Sequence, residues 1–508
     1  MANYRALQQM LHAALEGASG KTALRGGDRT LSYGELDQGI QMVAAGLCQL
    51  GIGKGDRVAW YLPNCLEAVF VTLACYRIGA IAVPLNYRYV PQEIEDVIAR
   101  TQASLLVYAA DKAEVVASVL EVREISSIVV GNEIGKGRAF SSLLQAGSFG
   151  EATPVAAGDP ALILFTSGST GHPKGVVHSH EGVFSAIDQS RKLFDFQATD
   201  VVLVGKSISH AGGLQTQMLP ALMAGSEVIL ETKPTPARAV ELIAKYGVTE
   251  YGMLASDLLD FIEYLEQGQH SLPTLANAIG SGDSVPADLH HRFRDLLGWE
   301  VMEGAGMTEV GCYYSANPRY GTRKWGSLGV PTPGTELRVV CEDGSDCEVG
   351  QHGEIVLKMK SATMGYWNDP GATGELFRDG WLHTGDLGYE DADGYVWFVG
   401  RKKLMIIRRG SNIAPAEVEN VLDEHPAVHA SIVVGVTDVH DGQIPVACVA
   451  LIGGAEGDSE QAIRDFVQQH LAAYKNPVHY LFLPELPRTG TGKFDRHTLQ
   501  KMAERQFT

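Results

Sequence analysis

The segment that decides the fold is a loop of small and hydroxyl-bearing residues, Thr166-Ser167-Gly168-Ser169-Thr170-Gly171-His172-Pro173-Lys174-Gly175. The apolar run 161–165 before it predicts a strand, and we expect a helix after it. Small residues let backbone N–H groups approach phosphate oxygens, the hydroxyls add donors, and Lys174 adds positive charge. Pro173 before the lysine and Gly175 after it do not fit a Walker A loop. We therefore interpret the segment as a phosphate-binding loop of another type, with a flexible linker as the alternative.

Predicted strands and helices alternate on both sides of this loop. Ser32 followed by Glu35 is a capping-box start for a helix that reaches Leu50. Strands are predicted at 57–62, 80–85 and 103–108, and helices at 66–78 and 91–100. The alternation recurs over 201–302. This order predicts an α/β fold, in which helices cover the faces of a sheet.

The sequence changes character twice after residue 325. Short strands separated by Gly-rich turns predict a β-subdomain at about 326–399. A compact α+β unit is predicted from helices at 415–424 and 460–473 and from strands at 430–436 and 446–452. We therefore expect a large N-terminal domain, residues 1–402, made of two βα-type subdomains and the β-subdomain. A small mobile C-terminal domain, residues 403–508, would follow it.

Composition and charge narrow the class of protein. The 508 residues carry a formal net charge of 41 − 60 = −19, which disfavours a nucleic-acid partner because phosphate backbones need a basic surface. Seven cysteines without a CxxC pair predict reduced thiols, no disulfide and no zinc site, as in a cytoplasmic protein. The N-terminus shows no apolar signal-peptide core. The most apolar stretch, 68–85, contains Arg77 and predicts a buried helix and strand, not an integral membrane segment.

Four further motifs follow the loop along the chain. They are Met307-Thr308-Glu309, Trp381-Leu382-His383-Thr384-Gly385-Asp386, Gly400-Arg401-Lys402-Lys403 and Pro487-Arg488-Thr489-Gly490-Thr491-Gly492-Lys493. With the loop, they resemble in content and order the motifs of the adenylate-forming superfamily. That superfamily holds acyl-CoA synthetases, peptide-synthetase adenylation domains and firefly luciferase. The resemblance covers nearly the whole chain, and the chain looks most like the acyl-CoA synthetases.

The resemblance implies an acid–thiol ligase that forms an acyl-adenylate from ATP and a carboxylic acid. Transfer to the thiol of coenzyme A would then release AMP. The catalytic residues implied are Lys493, His210, Thr308 and Glu309. Lys493 would reach the carboxylate and the α-phosphate, to which Thr308 would also donate. Glu309, a hard oxygen ligand, and Thr170 would hold Mg²⁺ beside the phosphates.

The resemblance also assigns the nucleotide site. ATP or AMP contacts fall on Thr166, Ser167, Gly168, Ser169, Thr170, Gly171, Lys174, Gly282, Asp283, Ser284, Gly304, Ala305, Gly306, Met307, Thr308, Asp386, Phe398 and Arg401. Asp386 would accept the ribose hydroxyls, and Arg401 would add charge near the ribose and phosphates. The family usually has an aromatic residue where this chain has Ala305. Another side chain then covers that face of the adenine, or the space belongs to the acyl group.

The acyl pocket is expected around His210. Its implied lining is His210, Ala211, Gly212, Gly213, Gly304 and Ala305. Gly212, Gly213, Gly304 and Ala305 are small and leave volume, so we expect a bulky acid in place of acetate. No arginine lies in 207–214, which disfavours a dicarboxylate. A fatty acid and an aryl or cyclic acid both remain open.

The second half-reaction would use the C-terminal domain. In the family this domain turns about a hinge residue, here Lys403, and presents a Gly-containing turn to coenzyme A, here Gly410 and Ser411. Arg408 and Arg409 beside that turn either favour the phosphates of coenzyme A or form a solvated basic turn.

Three other functions use the same motifs. A free-standing ligase could load a carrier protein, a luciferase-like oxidoreductase could reuse the adenylation site, and a non-catalytic nucleotide-binding or scaffold protein is the third alternative. The last is disfavoured because the phosphate loop, Glu309, Asp386 and Lys493 are all present. A homodimer is the default assembly for such a chain.

Overall fold

The computed structural model describes residues 5–131, 136–147, 149–166, 173–268, 270–281, 285, 287–409, 411–438, 440–452, 458–489 and 493–507. The chain divides into two compact units. The larger unit comprises 1–325, 329–336 and 358–382, and the smaller unit comprises 326–328, 337–357 and 383–508. Part of the predicted β-subdomain therefore groups with the C-terminal region. Each unit is described by itself below.

The α-helices are α1 His12–Ala18, α2 Tyr33–Gln49, α3 Leu66–Ile78, α4 Pro91–Thr101, α5 Ala113–Val122, α6 His180–Leu193, α7 Ala211–Gly213, α8 Leu219–Ala224, α9 Pro236–Tyr246, α10 Ala255–Glu266, α11 Ala287–Leu297, α12 Pro370–Leu376, α13 Pro415–Asp423, α14 Asp458–His470 and α15 Arg496–Phe507.

The strands are β1 Thr22–Gly26, β2 Arg29–Ser32, β3 Arg57–Tyr61, β4 Ile81–Pro84, β5 Leu105–Ala109, β6 Ser126–Val130, β7 Arg138–Ala139, β8 Pro160–Thr166, β9 Lys174–Ser179, β10 Val201–Val204, β11 Glu227–Leu230, β12 Glu250–Leu254, β13 Asn277–Ser281, β14 Met302–Gly306, β15 Tyr313–Ala316, β16 Ser327–Pro331, β17 Glu336–Val340, β18 Gly353–Lys358, β19 Gly365–Tyr366, β20 Phe377–Arg378, β21 Trp381–Glu390, β22 Val396–Arg401, β23 Ile406–Arg408, β24 Ser411–Ile413, β25 Val428–Asp438, β26 Gly442–Leu451 and β27 His479–Leu483.

The larger unit contains two mostly parallel sheets with helices between their strands. One sheet has the order β19-β9-β8-β4-β3-β5-β6-β7, and the other runs β15-β14-β13-β12-β10-β11-β1-β2. The strand pairs β3–β4, β3–β5, β10–β12 and β12–β13 are parallel. Antiparallel pairs lie near the ends of both sheets, at β8–β9 and β14–β15. The predicted α/β class is confirmed.

Helix α2 begins where the sequence predicts. The backbone N–H of Glu35 donates to the Ser32 hydroxyl at 3.2 Å, and the backbone N–H of Ser32 donates to the Glu35 carboxylate at 2.7 Å. This reciprocal pair is a capping box. The apolar positions recur every three or four residues and are buried at Leu36, Ile40, Val43 and Leu47.

The most apolar stretch of the chain forms α3 and β4, as predicted. Every residue of β4 is buried, and the residues of α3 are buried apart from Glu67 and Arg77. Arg77 is accommodated by an ion pair with Asp37 of α2 at 2.8 Å. Among the described residues, helices long and apolar enough to cross a bilayer are absent.

In the smaller unit, a sheet with the order β24-β23-β26-β25, extended by β27 on β26, forms the centre of the C-terminal region. One face packs against α13 and α14 through Val418, Leu422, Ile463 and Val467. The other face packs against α15 through Leu499 and Ala503. This is the predicted α+β unit, with helices on both faces of its sheet.

Two expectations about local structure are wrong. A strand follows the phosphate loop, because Val176 and Val177 are β-branched and buried in β9, so the helix α6 begins only at His180. The cysteines are not all reduced, because Cys341 and Cys347 form a disulfide. A turn brings them together, with the backbone N–H of Cys347 donating to Val339 O at 2.9 Å. A search for CxxC pairs could not detect this turn.

Replacing Ser32 by alanine should lower the free energy of unfolding of the larger unit by about 1 kcal/mol, because the N–H of Glu35 loses its acceptor. Urea denaturation followed by tryptophan fluorescence measures this, since Trp60 is fully buried in the core cluster that contains α2 side chains. Ser118→Ala is the matched control, because the exposed Ser118 hydroxyl donates to Val115 O within α5. Equal changes in both variants would contradict a stabilising capping box.

Candidate active site

The two ends of the phosphate loop lie side by side. Thr166 and Lys174 are Cα partners at the end of the antiparallel pair β8–β9. The ammonium of Lys174 lies over the ring of Tyr366, 4.7 Å from its centroid. The predicted phosphate contacts Ser167, Gly168, Ser169, Thr170 and Gly171 fall outside the described residues. The described flanks thus place one cation at the mouth of the loop.

The predicted Thr308–Glu309 motif forms a single helical turn. The turn Thr308–Val310 follows β14 and Met307, and it ends at Gly311, whose φ of +69° suits glycine. Two neighbours hold its backbone. His178 Nε2 lies 2.8 Å from Thr308 O, and the backbone N–H of Thr363 donates to Glu309 O at 2.7 Å. The turn is therefore fixed from β9 and from the segment before β19.

His178 is a site residue that the motifs did not predict. It is completely buried in β9, and this burial lowers the pKa of its imidazole to about 4. The ring is therefore neutral at physiological pH, and its Nε2–H donates to the Thr308 carbonyl. A histidine directly after the two buried valines of β9 is the sequence signal that could have pointed to it.

The Glu309 side chain is half-buried and engaged through one oxygen. The Tyr366 hydroxyl donates to Glu309 Oε1 at 2.8 Å, whereas Oε2 has no hydrogen-bond partner among the described residues. A carboxylate oxygen left open in this way fits Mg²⁺, which prefers hard oxygen ligands and keeps several positions for water and phosphate. Clusters of three or more His, Cys, Asp or Glu residues do not occur in the described part of the chain. The fit is thus to a cation held jointly with phosphates.

Strand β14 carries the small residues predicted for the adenine and acyl sites. A Cβ atom on Gly304 would lie 2.8 Å from Ser315 O, and one on Gly306 would lie 2.7 Å from Cys312 O. The close approach of β15 therefore explains both glycines. Ala305 is half-buried and pairs with Ser315. Gly282, Asp283 and Ser284 fall outside the described residues.

Glu303 anchors the segment that precedes these small residues. Its Oε1 accepts the backbone N–H of Val285 at 2.9 Å, and its Oε2 lies 3.1 Å from His290 Nε2. The buried carboxylate thereby ties β14 to the end of the 281–285 segment. The sequence analysis did not identify Glu303, since a glutamate beside a glycine motif resembles a surface residue.

The glycines beside His210 differ in how much free space surrounds them. A Cβ atom on Gly213 would lie 2.3 Å from Ser207 O, so backbone already fills that space. At Gly212 the nearest atom to such a Cβ is Lys206 Cδ, at 3.8 Å. Close backbone contacts therefore explain Gly213 and Gly304, and the assignment of these glycines to an acyl pocket stays a prediction. His210 is half-buried and is the last residue before α7, which begins at Ala211.

Buried polar side chains surround this segment. Lys206 is 7 % exposed, and burial lowers the pKa of its ammonium to about 7, while the charge of Asp257 acts in the opposite direction. Gln215 and Gln217 are buried in a π-helical turn, Leu214–Met218. The Gln215 amide has no partner for either polar atom among the described residues.

Gln215 also joins the His210 segment to the Thr308–Glu309 turn. A Cβ atom on Gly311 would lie 2.8 Å from Gln215 Nε2, so the amide packs directly against the residue that ends the turn. The buried π-helical turn that follows the His210 segment thus packs against the residue after the Thr308–Val310 turn, a contact that sequence periodicity does not reveal.

In the smaller unit, the predicted ribose residues are paired. Asp386 and Arg401 are Cα partners across β21 and β22, and Arg401 Nε lies 2.9 Å from Asp386 Oδ1. Asp386 is 6 % exposed, and its backbone N–H donates to the Thr384 hydroxyl at 3.0 Å. Phe398, half-buried, pairs with Gly388 in the same ladder. The Asp386 carboxylate therefore lies against the Arg401 guanidinium at the end of this ladder.

The two described flanks of the lysine motif in the smaller unit are hydrogen-bonded to each other. Lys493 is exposed, and its carbonyl accepts the backbone N–H of Thr489 at 2.7 Å. Arg496 donates from its two terminal nitrogens to Glu419 Oε1 and Oε2, both at 2.7 Å. This bidentate pair fixes the start of α15 on α13 and so limits where Lys493 can lie.

The hinge and coenzyme A candidates lie between β22 and β24. Lys403 is exposed in the turn Lys402–Leu404 and Ser411 is exposed in β24, while Gly410 falls outside the described residues. Arg408 Nε and Arg409 Nε donate to the two carboxylate oxygens of Asp441, at 2.8 and 2.6 Å. The basic turn therefore has an internal counter-ion.

Gly213→Ala should lower the thermal unfolding midpoint, because the new Cβ atom would displace the Ser207 backbone, and overpacking of this kind costs roughly 1–3 kcal/mol. Gly212→Ala is the matched control, since its Cβ atom meets no atom closer than 3.8 Å and the midpoint should stay unchanged. Circular dichroism melts of both variants measure the difference. Equal midpoints would contradict the steric assignment.

Two regions of the chain match known family profiles. Residues 11–367 match the family described as AMP-binding enzyme. Residues 417–493 match the family described as AMP-binding enzyme C-terminal domain. The first match alone spans more than half of the chain, and it includes the phosphate loop, the His210 segment and the Thr308–Glu309 turn.

Similar proteins span nearly the whole chain. A feruloyl-CoA synthase of Amycolatopsis sp is 34% identical over 473 residues, covering 93% of this chain and 94% of that protein. An indoleacetate–CoA ligase of Aromatoleum aromaticum is 32% identical over 502 residues, covering 97% of both. The crystal structure of the anthranilate CoA ligase AuaEII in complex with anthranoyl-AMP has a TM-score of 0.92 at 25% identity, covering 99% of this chain and 98% of that one. The predicted superfamily is confirmed, and the chain belongs to the AMP-binding enzyme family of adenylate-forming enzymes.

Proposed function

We propose that this protein is an AMP-forming acid–CoA ligase. It activates a carboxylic acid with ATP and transfers the acyl group to the thiol of coenzyme A. The observation that carries the proposal is the braced Thr308–Glu309 turn, which leaves Glu309 Oε2 open while Tyr366 joins Glu309 to Lys174 at the loop mouth. The similar proteins described above are named as CoA ligases, which supports the same reaction.

The first step joins two anions, so its main barrier is electrostatic. The carboxylate oxygen attacks the α-phosphorus of ATP, the bond to the β-phosphate oxygen breaks, and pyrophosphate leaves. Lys174 and the loop 166–175 bind phosphate oxygens, and Thr308 donates to the α-phosphate. Lys493 neutralises the acid and the α-phosphate. Mg²⁺, when bound at Glu309 and Thr170, offsets charge on the phosphates.

The second step transfers the acyl group. The thiol sulfur of coenzyme A attacks the acyl carbon of the adenylate, the thioester forms, and AMP leaves. We assign His210 to orientation of the carboxylate, and Asp386, Phe398 and Arg401 to the nucleoside. We also propose a domain boundary between residues 402 and 403, with Lys403 as the hinge. Gly410 and Ser411 are proposed to contact coenzyme A.

The acid is proposed to be aryl-substituted. The names of the similar proteins, feruloyl-CoA synthase and indoleacetate–CoA ligase, refer to aryl acids, and Gly212 leaves space beside His210. A cytoplasmic homodimer is the proposed context, since ATP and coenzyme A are available in the cytoplasm and homodimers are the commonest soluble assembly.

An acid panel tests the ligase reaction. Aryl acids should support ATP–pyrophosphate exchange with a higher kcat/KM than medium- and long-chain fatty acids, and addition of coenzyme A should yield the thioester and AMP. Radiolabelled pyrophosphate exchange and thioester chromatography measure the two steps. Folded protein that binds ATP but supports exchange with no acid would contradict the function, and faster exchange with fatty acids would contradict the aryl preference.

Lys493→Ala should slow adenylation by roughly 10²–10³-fold, because a charge that stabilises the transition state is lost. Thioester formation from supplied acyl-adenylate should change little. Single-turnover assays separate the two steps. Lys501→Ala, an exposed lysine on α15, is the matched control for loss of charge. Equal loss in both half-reactions of the Lys493 variant would contradict the assigned role.

A further inference from the structure

Tyr366 occupies a position that the recognised motifs do not include. Its hydroxyl donates to Glu309 Oε1 at 2.8 Å, and its ring lies under the Lys174 ammonium at 4.7 Å. One side chain therefore contacts both the candidate cation ligand and the cation at the mouth of the phosphate loop. These two groups belong to elements 135 positions apart in the sequence.

The backbone of Tyr366 is fixed by regular hydrogen bonding. In the β19–β9 pair, Tyr366 is the Cα partner of Val176. Its backbone N–H donates to the Thr373 hydroxyl at 2.9 Å. Gly365 before it has a φ of +126°, and a Cβ atom there would lie 2.5 Å from Thr373 Cγ2. The ring is thus presented by a strand and not by a flexible loop.

Thr363, just before β19, also hydrogen-bonds to the backbone of the Thr308–Val310 turn. The N–H of Thr363 donates to Glu309 O at 2.7 Å, and the Thr363 hydroxyl donates to Val177 O at 2.6 Å. Glu309 is therefore held at its carbonyl by Thr363 and at its carboxylate by Tyr366. This double attachment restricts both the backbone position and the side-chain rotamer of one residue.

The Tyr366 hydroxyl donates its proton to Glu309 Oε1, because an ionised carboxylate can only accept. A donor to Oε1 leaves the charge of the carboxylate intact and occupies one of its two oxygens.

We propose that Tyr366 is a positioning residue for metal-bound ATP. It orients the Glu309 carboxylate so that Oε2 is available to the divalent cation, and its ring holds the Lys174 ammonium at the phosphates. The role is to set the geometry of two charged groups at once, because each would otherwise sample several rotamers. This inference rests on the proposed function for its reaction, although the metal–nucleotide binding that it concerns is measured without an acid.

The decisive variant is Tyr366→Phe, which removes the hydroxyl and keeps the ring. Binding of Mn²⁺ and ATP to the protein, followed by electron paramagnetic resonance in the absence of acid and coenzyme A, should weaken by about tenfold, the effect of losing one hydrogen bond to a charged group. The Mg²⁺ concentration that half-saturates pyrophosphate exchange should rise by a similar factor. The KM for the acid should stay unchanged.

Two controls separate positioning from stability. Tyr61→Phe removes another tyrosine hydroxyl of the same sheet, one that donates to Tyr89 O at 2.8 Å, and it should leave Mn²⁺–ATP binding unchanged. Tyr366→Leu also removes the ring, and it should raise the KM for metal-bound ATP beyond the value for Tyr366→Phe. Thermal melts of all three variants report folding.

Each outcome decides the inference. Unchanged Mn²⁺–ATP binding in folded Tyr366→Phe would overturn it, as would a loss explained entirely by a lower melting midpoint or shared by Tyr61→Phe. Weaker Mn²⁺–ATP binding with exchange active in the wild type supports both proposals. Weaker binding in a protein that supports exchange with no acid would uphold the positioning role and reject the ligase.

Discussion

The antiparallel pairing of β9 with β8 is the constraint on which the site depends. It places Lys174 opposite Thr166 at the two ends of the loop, and it turns His178 toward the Thr308 carbonyl. On its other side β9 pairs with β19, which carries Tyr366. One short strand therefore fixes Lys174, the helical turn and the tyrosine relative to each other. Since its interior is buried, displacement would expose apolar surface and break a row of backbone hydrogen bonds.

In the smaller unit, ion pairs and hydrogen bonds hold the neighbourhood of the site candidates. The Asp386 carboxylate pairs with Arg401 across the strands, its backbone N–H donates to the Thr384 hydroxyl, and the Arg496–Glu419 pair holds the start of α15 near Lys493. These site candidates are thus flanked by groups that are already held by neighbouring strands and helices. Preorganisation of this kind reduces the side-chain entropy lost on binding.

The sequence predicts the α/β class and most helix and strand positions, because capping residues and apolar periodicity act locally, as at α2 and α3. The motifs also predict Thr308, Glu309, Asp386 and Lys493 as site candidates. What they miss depends on residues distant in the chain. His178 and Tyr366 are recognised as site residues through their contacts with residues 308 and 309. The tight fit of Gly213 is recognised through the nearby Ser207 carbonyl. The strand after the loop was not predicted, because Pro173 and Gly175 beside its first residue disfavour a strand and outweighed the two valines that follow.

Asp441 changes the charge that Arg408 and Arg409 present to an approaching anion. It binds both Arg408 and Arg409, so the local charge of these three side chains is +2 − 1 = +1. An incoming phosphate must compete with a carboxylate already in place, and the exchange conserves the number of ion pairs. Asp441 thereby lowers the attraction that Arg408 and Arg409 exert on a distant anion to that of a single positive charge.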